Sequence, residues 1–179
     1  MALRNGPEGF GLVTRALHWL TAAGVLAMLG LGLTIARMEA SLSNLWLFGL
    51  HKTIGLTLLA LTLVRIAWHR ASPPPPPIAA PRPWQTRLAV ATHAGFYALL
   101  LVAPLAGWVA SAASGLDVVV FGRWTLPKVA PTSPALEAAA FAVHRAATWT
   151  FGALVLLHIA GAAARAARGD GTLRRMLRG

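Results

Sequence analysis

The chain has 179 residues, of which 56% are apolar and 12% charged, about half the charged share of a soluble domain. Cysteine is absent, which excludes a disulfide framework, an iron–sulfur cluster and any thiolate metal site. The formal net charge of +11 accompanies long apolar runs, so it is read as basic flanks against anionic lipid headgroups and not as a nucleic-acid surface.

Residues 1–14 are polar and Gly-rich, and a first apolar run follows from about Ala16 to Ala36. About 20 uncharged residues cross a hydrocarbon core of roughly 30 Å. Arg4 and Arg15 would also suit a secretory signal, but the run is long for one and opens with His18-Trp19. After a polar link at 37–45, a second run spans about Trp46 to Trp68. His51 and Lys52 stand near its start, and Arg65, His69 and Arg70 at its finish. A connector over 69–87 contains five consecutive prolines, Pro73 to Pro77, which cannot continue a helix and favour stiff polyproline II. The third run, about Leu88 to Ala112, has His93 near its start and a kinking Pro104 inside it. Residues 113–133 read as a loop rich in Gly, Pro and aromatics. Ser133-Pro134 reads as an N-cap with proline at the first helical position, opening a fourth run from about Ala135 to Ala164. A basic tail closes the chain. The expected fold is all-α: one integral membrane domain over 1–179, a four-helix bundle.

Four spans put both termini and the connector on one side. That side collects Arg4, Arg15, Arg65, Arg70, Arg82, Arg87, Arg165, Arg168, Arg174, Arg175 and Arg178. The other holds Arg37, Lys52, Arg123, Lys128 and Arg145, which accounts for all 16 Lys and Arg. The positive-inside rule then predicts cytoplasmic termini and an outer loop at 113–133.

This topology sorts the histidines by depth. His18 and His158 lie near the cytoplasmic ends of the first and fourth spans, and His51 and His144 near the outer ends of the second and fourth. His144 and His158 are fourteen residues apart, nearly four turns, so they leave one face of the fourth helix roughly 21 Å apart. His93 and His69 sit at the cytoplasmic interface. Ionisable groups at membrane depth usually face the bundle interior and have a function there. Two imidazoles at one depth on different helices suit bis-histidine ligation of haem iron in an apolar slot. Zinc or di-iron would want more ligands, and the five acids, Glu8, Glu39, Asp117, Glu137 and Asp170, place no carboxylate inside the spans. A proton relay is an alternative, although two separated pairs do not form a chain. The plain alternative is interfacial histidines bonded to backbone carbonyls. Gly24, Gly30, Gly32, Gly55, Gly152 and Gly161 would make room for a macrocycle, or equally for close helix packing.

Several stretches carry a family resemblance: TRALHWL at 14–20, HKTIGLTLLALTLVRIAWHR at 51–70 with the proline connector after it, HAGFYALLLVAPLAGW at 93–108, FGRWTLP at 121–127, the interval from His144 to His158, and DGTLRRM at 170–176. As an ordered set this resembles the bacterial cytochrome b561 family of quinone-linked membrane cytochromes. The resemblance implies two non-covalent b haems, with His18 and His158 holding the inner one and His51 and His144 the outer one. It implies a multi-pass protein of the bacterial inner membrane. It also implies electron transfer from an outer donor such as superoxide to ubiquinone, or alternatively service as the anchor subunit of a partner dehydrogenase or hydrogenase. Other members often carry further histidines near the end of the fourth span, where this chain reads RAAR.

On this reading Lys52, Arg123, Lys128 and Arg145 would steer an anionic donor to the outer face. Lys52 and His93 are the candidate catalytic residues, with His93 delivering protons to quinone. Arg65 would pair with inner-haem propionates, as could Arg15, and Arg145 with outer ones. The tryptophans read as interfacial anchors. A cofactor-free transporter is a third reading, which the lack of acids within the spans disfavours.

Overall fold

The structure, a computed structural model, describes residues 2–78 and 82–179. Part of the expected connector, 79–81, lies outside the described residues. Four long helices dominate: α1 (Leu12–Ile35), α2 (Leu45–Ala71), α3 (Pro83–Ala113) and α4 (Pro134–Ala167). Each is long and apolar enough to cross a membrane, so the chain is an all-α membrane bundle. The helices run somewhat beyond most of the apolar runs because backbone hydrogen bonding continues into the headgroup zone after hydrophobicity has ended. Ser133 caps α4, its Oγ accepting from the Leu136 N–H at 3.3 Å, with Pro134 at the first position. Glu137 therefore lies inside α4, in its first turn, so the expectation that no carboxylate falls within a span fails at this one position.

α3 packs along α4, α1 along α2, and α2 against α3. α4 makes at most marginal backbone contact with α1 or α2. The middle of the bundle holds an apolar layer of Val25, Leu58, Leu100 and Phe151, flanked by Met28, Leu29, Ile54, Leu61, Phe96, Leu99 and Val155. Phe151 stands seven residues from each histidine of α4, so this layer divides the bundle halfway between them.

Two elements go beyond the sequence reading. The 113–133 loop contains a hairpin of β1 (Val119–Val120) and β2 (Trp124–Thr125), antiparallel, with Val120 opposite Trp124. Phe121 at its tip has φ 53°, a left-handed conformation that costs a bulky L-residue roughly 1–2 kcal/mol. Its N–H is held by Thr53 Oγ1 on α2 at 3.1 Å. The basic tail folds into a fifth helix, α5 (Thr172–Arg178).

α5 closes the face that carries both termini. Arg15 Nη1 donates to the Leu177 carbonyl at 2.8 Å and Trp19 Nε1 to that of Met176 at 3.1 Å. Arg175 donates to the Pro76 carbonyl at 2.9 Å and lies over the Phe10 ring. Asn5 ties the N-terminal segment to the proline connector: its backbone N–H donates to Ser72 Oγ at 2.9 Å and its Nδ2 to the Ser72 carbonyl at 2.8 Å. Trp68 on α2 also has a partner deeper than an interfacial anchor would need, donating to the buried Thr14 Oγ1 at 2.9 Å.

Candidate functional site

The site is built from helix faces that do not pack on one another. His144, on the half of α4 expected to face outward, and His51, at the start of α2, bring their rings to 6.0 Å between centroids. His158, toward the other end of α4, and His18 on α1 do the same at 6.3 Å. Each pair spans two helices whose backbones stay apart, and the apolar layer around Phe151 separates the pairs.

At the outer pair, His144 Nδ1 lies 2.7 Å from the Ala103 carbonyl. A carbonyl only accepts, so Nδ1 carries a proton, and in the neutral ring Nε2 is the nitrogen left to ligate a metal. Gly107, one turn after Ala103 on α3, lets the ring lie there: a Cβ on it would stand 3.1 Å from His144 Nδ1 and 3.3 Å from Cε1. Gly32 lies behind His51, where a Cβ would come within 3.5 Å of Cε1. His51 Nδ1 is buried without a hydrogen-bond partner.

The inner pair has a third imidazole beside it. His93 on α3 lies 5.6 Å from His158, and Phe96 lies 5.4 Å from it. Ring distance alone does not choose between His18 and His93 as the mate of His158, and the two differ in how their helices pack. α3 packs along α4, whereas α1 and α4 make at most marginal contact. Arg65 of α2 completes this end, with Nη2 3.4 Å from His18 Nδ1 and the guanidinium over the Tyr97 ring. Its Nε is buried without an acceptor. Tyr97 is also bonded to His69, with 3.0 Å between its hydroxyl and His69 Nδ1.

The remaining candidates are distributed less simply. Lys52 is anchored, donating to Ser111 Oγ at 2.7 Å and to the Asp117 carbonyl at 3.1 Å, so it clamps the outer loop beside His51. Lys128 pairs with Asp117 at 3.6 Å, and both are more than half exposed. Such a pair contributes little and leaves the field of Lys128 largely available. Arg123 lies over the Trp124 ring, and Arg145 is exposed directly after His144. Arg15 is turned toward the carbonyl of Leu177. Ala103, Gly107 and Tyr97 escaped the sequence reading, because their importance arises from α3 meeting α4 and α2, not from any spacing within α3.

The glycines expected to open a slot divide. A Cβ at Gly24 would strike Leu58 Cδ2 at 2.8 Å, so Gly24 serves close packing of α1 on α2. Gly55 and Gly152 are in ordinary contact with Met28 and Leu29, and nothing lies within 4 Å of a Cβ at Gly30 or Gly161.

Residues 9–179 match the family described as Prokaryotic cytochrome b561. The chain is also similar to "Cytochrome b561 homolog 2" of Escherichia coli (strain K12), 32% identical over 161 residues, which cover 88% of this chain and 85% of that protein.

The donor set fits the group those matches imply. An imidazole nitrogen sits about 2 Å from a bound first-row metal ion, so two axial imidazoles hold their ring centres roughly 6 Å apart. The two pairs meet that separation at 6.0 and 6.3 Å. The unpartnered Nε of Arg65 suits a carboxylate at the inner end. Among the described residues no cluster of three or more His, Cys, Asp or Glu forms a metal site of another kind.

Proposed function

The chain belongs to the prokaryotic cytochrome b561 family and is a multi-pass membrane protein of haem b electron transfer; from that premise we propose that it holds two b haems and carries electrons from superoxide at its outer face to ubiquinone at the face of its termini. The observation that carries the proposal is the two histidine pairs, each bridging helices that do not pack together, on opposite sides of one apolar layer. His51 and His144 would hold the outer haem, and His18 and His158 the inner one. Haem b, when bound, supplies a one-electron carrier. Because the chain would supply two imidazoles to each haem, the group would favour outer-sphere exchange over binding oxygen. The termini face the cytoplasm and the membrane is the bacterial inner membrane.

In the overall reaction two superoxide anions each lose one electron and become O2, and one ubiquinone gains two electrons and two protons and becomes the quinol. The chain's residues divide this work by face. The Ala103 carbonyl and Gly107 hold His144 in the ligating tautomer. Lys52 keeps the outer loop closed over α2, and Lys128, Arg123 and Arg145 give that face its positive field. Arg65 neutralises a carboxylate at the inner site, as Arg145 would at the outer one. His93, exposed on α3 beside His158, delivers protons to quinone.

The proposal is tested by mixing superoxide with purified protein and a ubiquinone analogue; quinol should form in proportion to half the superoxide consumed. Charge reversal at Arg123 and Lys128, which leaves the Lys52 bonds intact, should lower the superoxide rate about tenfold at low salt, with the difference shrinking as ionic strength rises. An unchanged rate and salt dependence removes the steering role. His93→Ala should keep full haem content and lose quinone turnover about 10²-fold or more; wild-type turnover would take His93 out of the mechanism.

A second reading rests on the outer hairpin. Phe121 and Trp124 are 64% and 57% exposed there, a surface on which a partner dehydrogenase could dock as electron donor. Superoxide-independent quinone reduction on addition of such a partner would favour it.

A further inference from the structure

Between the end of α4 and α5 lies a groove of about 510 Å3, lined by Ala166, Gly169, Leu173, Arg174, Leu177 and Arg178 among others. We propose that this groove is a binding site for one anionic phospholipid, its phosphate held by Arg174 and Arg178 and an acyl chain laid along Leu173 and Leu177. The inference depends only on the membrane fold and is independent of what the haems do.

Three observations carry it. The first is shape. The turn from α4 into α5 is braced, with Arg165 Nε 2.6 Å from Asp170 Oδ2, Asp170 Oδ1 accepting from the Thr172 N–H at 2.9 Å, and Arg165 Nη2 donating to Thr172 Oγ1 at 3.1 Å. Burial is the largest single influence on Asp170 and opposes its ionisation, but the bonds from Thr172 together with the Arg165 charge outweigh it and hold the carboxyl below the ordinary value. The brace is therefore intact at neutral pH and weakens only as pH falls through the carboxylate range. The second is the division of the cations on α5. Arg175 faces inward to Pro76 and Phe10, whereas Arg174 and Arg178, one turn apart, are exposed on the groove side. Asp170, between the groove residues Gly169 and Gly171 in the chain, is already engaged by Arg165 and Thr172. The third is apolar surface beside this charge: Leu173 and Leu177 are 37% and 55% exposed next to the end of α4. Paired guanidinium groups match a phosphate, and adjacent leucines match an acyl chain.

The test uses full-length, haem-loaded protein in mild detergent, with retained lipid counted by native mass spectrometry after exposure to phosphatidylglycerol or phosphatidylcholine. One phosphatidylglycerol should be retained in preference to phosphatidylcholine. Arg174→Gln with Arg178→Gln should weaken that retention about thirtyfold, taking each arginine at its usual contribution near an anionic surface. Arg168→Gln, an exposed cation outside the groove, should change it little, and haem content should stay constant in all variants. Leu177→Asn should weaken the lipid but not inorganic phosphate. Equal retention of the two lipids, an unaffected double variant, an equal loss in Arg168→Gln, or inorganic phosphate binding as tightly as the lipid would each overturn the proposal.

Discussion

His18→Ala should reduce bound haem from about two per chain to about one, whereas His93→Ala should leave both in place. The contrast is informative because both rings lie close to His158, at 6.3 and 5.6 Å, and His93 is the nearer. A count of neighbouring imidazoles would treat them alike. His18 is expected to ligate on steric grounds: a flat macrocycle would need space between its ligands' helices, and α1 barely touches α4 whereas α3 packs along it. His51→Ala should remove the other haem by the same logic. The spectrum of the protein left in each single variant should then report one site in isolation. Loss of haem in His93→Ala, with retention in His18→Ala, would reverse the inner assignment.

Gly107→Ala should impair the outer haem specifically. The added methyl would stand 3.1 Å from His144 Nδ1, tighter than ordinary van der Waals contact, and the ring cannot retreat without stretching its 2.7 Å bond to the Ala103 carbonyl. Overpacking of this kind costs about 1–3 kcal/mol. Disturbing the hydrogen bond behind a ligating imidazole typically costs about 10–100-fold in affinity. The expected result is partial loss of outer haem, a shifted midpoint potential in what remains, and an unchanged inner haem. Gly30→Ala, with open space around the new methyl, is the matched control and should change neither. Equal behaviour of the two variants would remove the cradle from the account.

The four long helices were legible because each is an uninterrupted apolar run of membrane length. The histidine pairs were legible because antiparallel spans convert position along the chain into depth. The rest depended on contacts that no local pattern encodes. α5 is only a short basic stretch until Arg15, Trp19 and Pro76 receive it. Lys52, beside a histidine at a helix start, has the sequence signature of a free steering charge; Ser111 and Asp117, some sixty residues away, make it a clamp. The glycine that matters most for a histidine is Gly107, on a helix where no slot was sought. Gly24, expected to open space, instead closes α1 onto Leu58.

The central claim is that this bundle carries two haems, one for each histidine pair. The most direct measurement is haem quantification per chain on the purified protein, combined with a reduced-minus-oxidised spectrum taken through a redox titration. The account predicts about two b haems per chain, both low-spin, titrating with two midpoint potentials. A colourless protein, or a single haem in a fully folded chain with all six histidines intact, would contradict it.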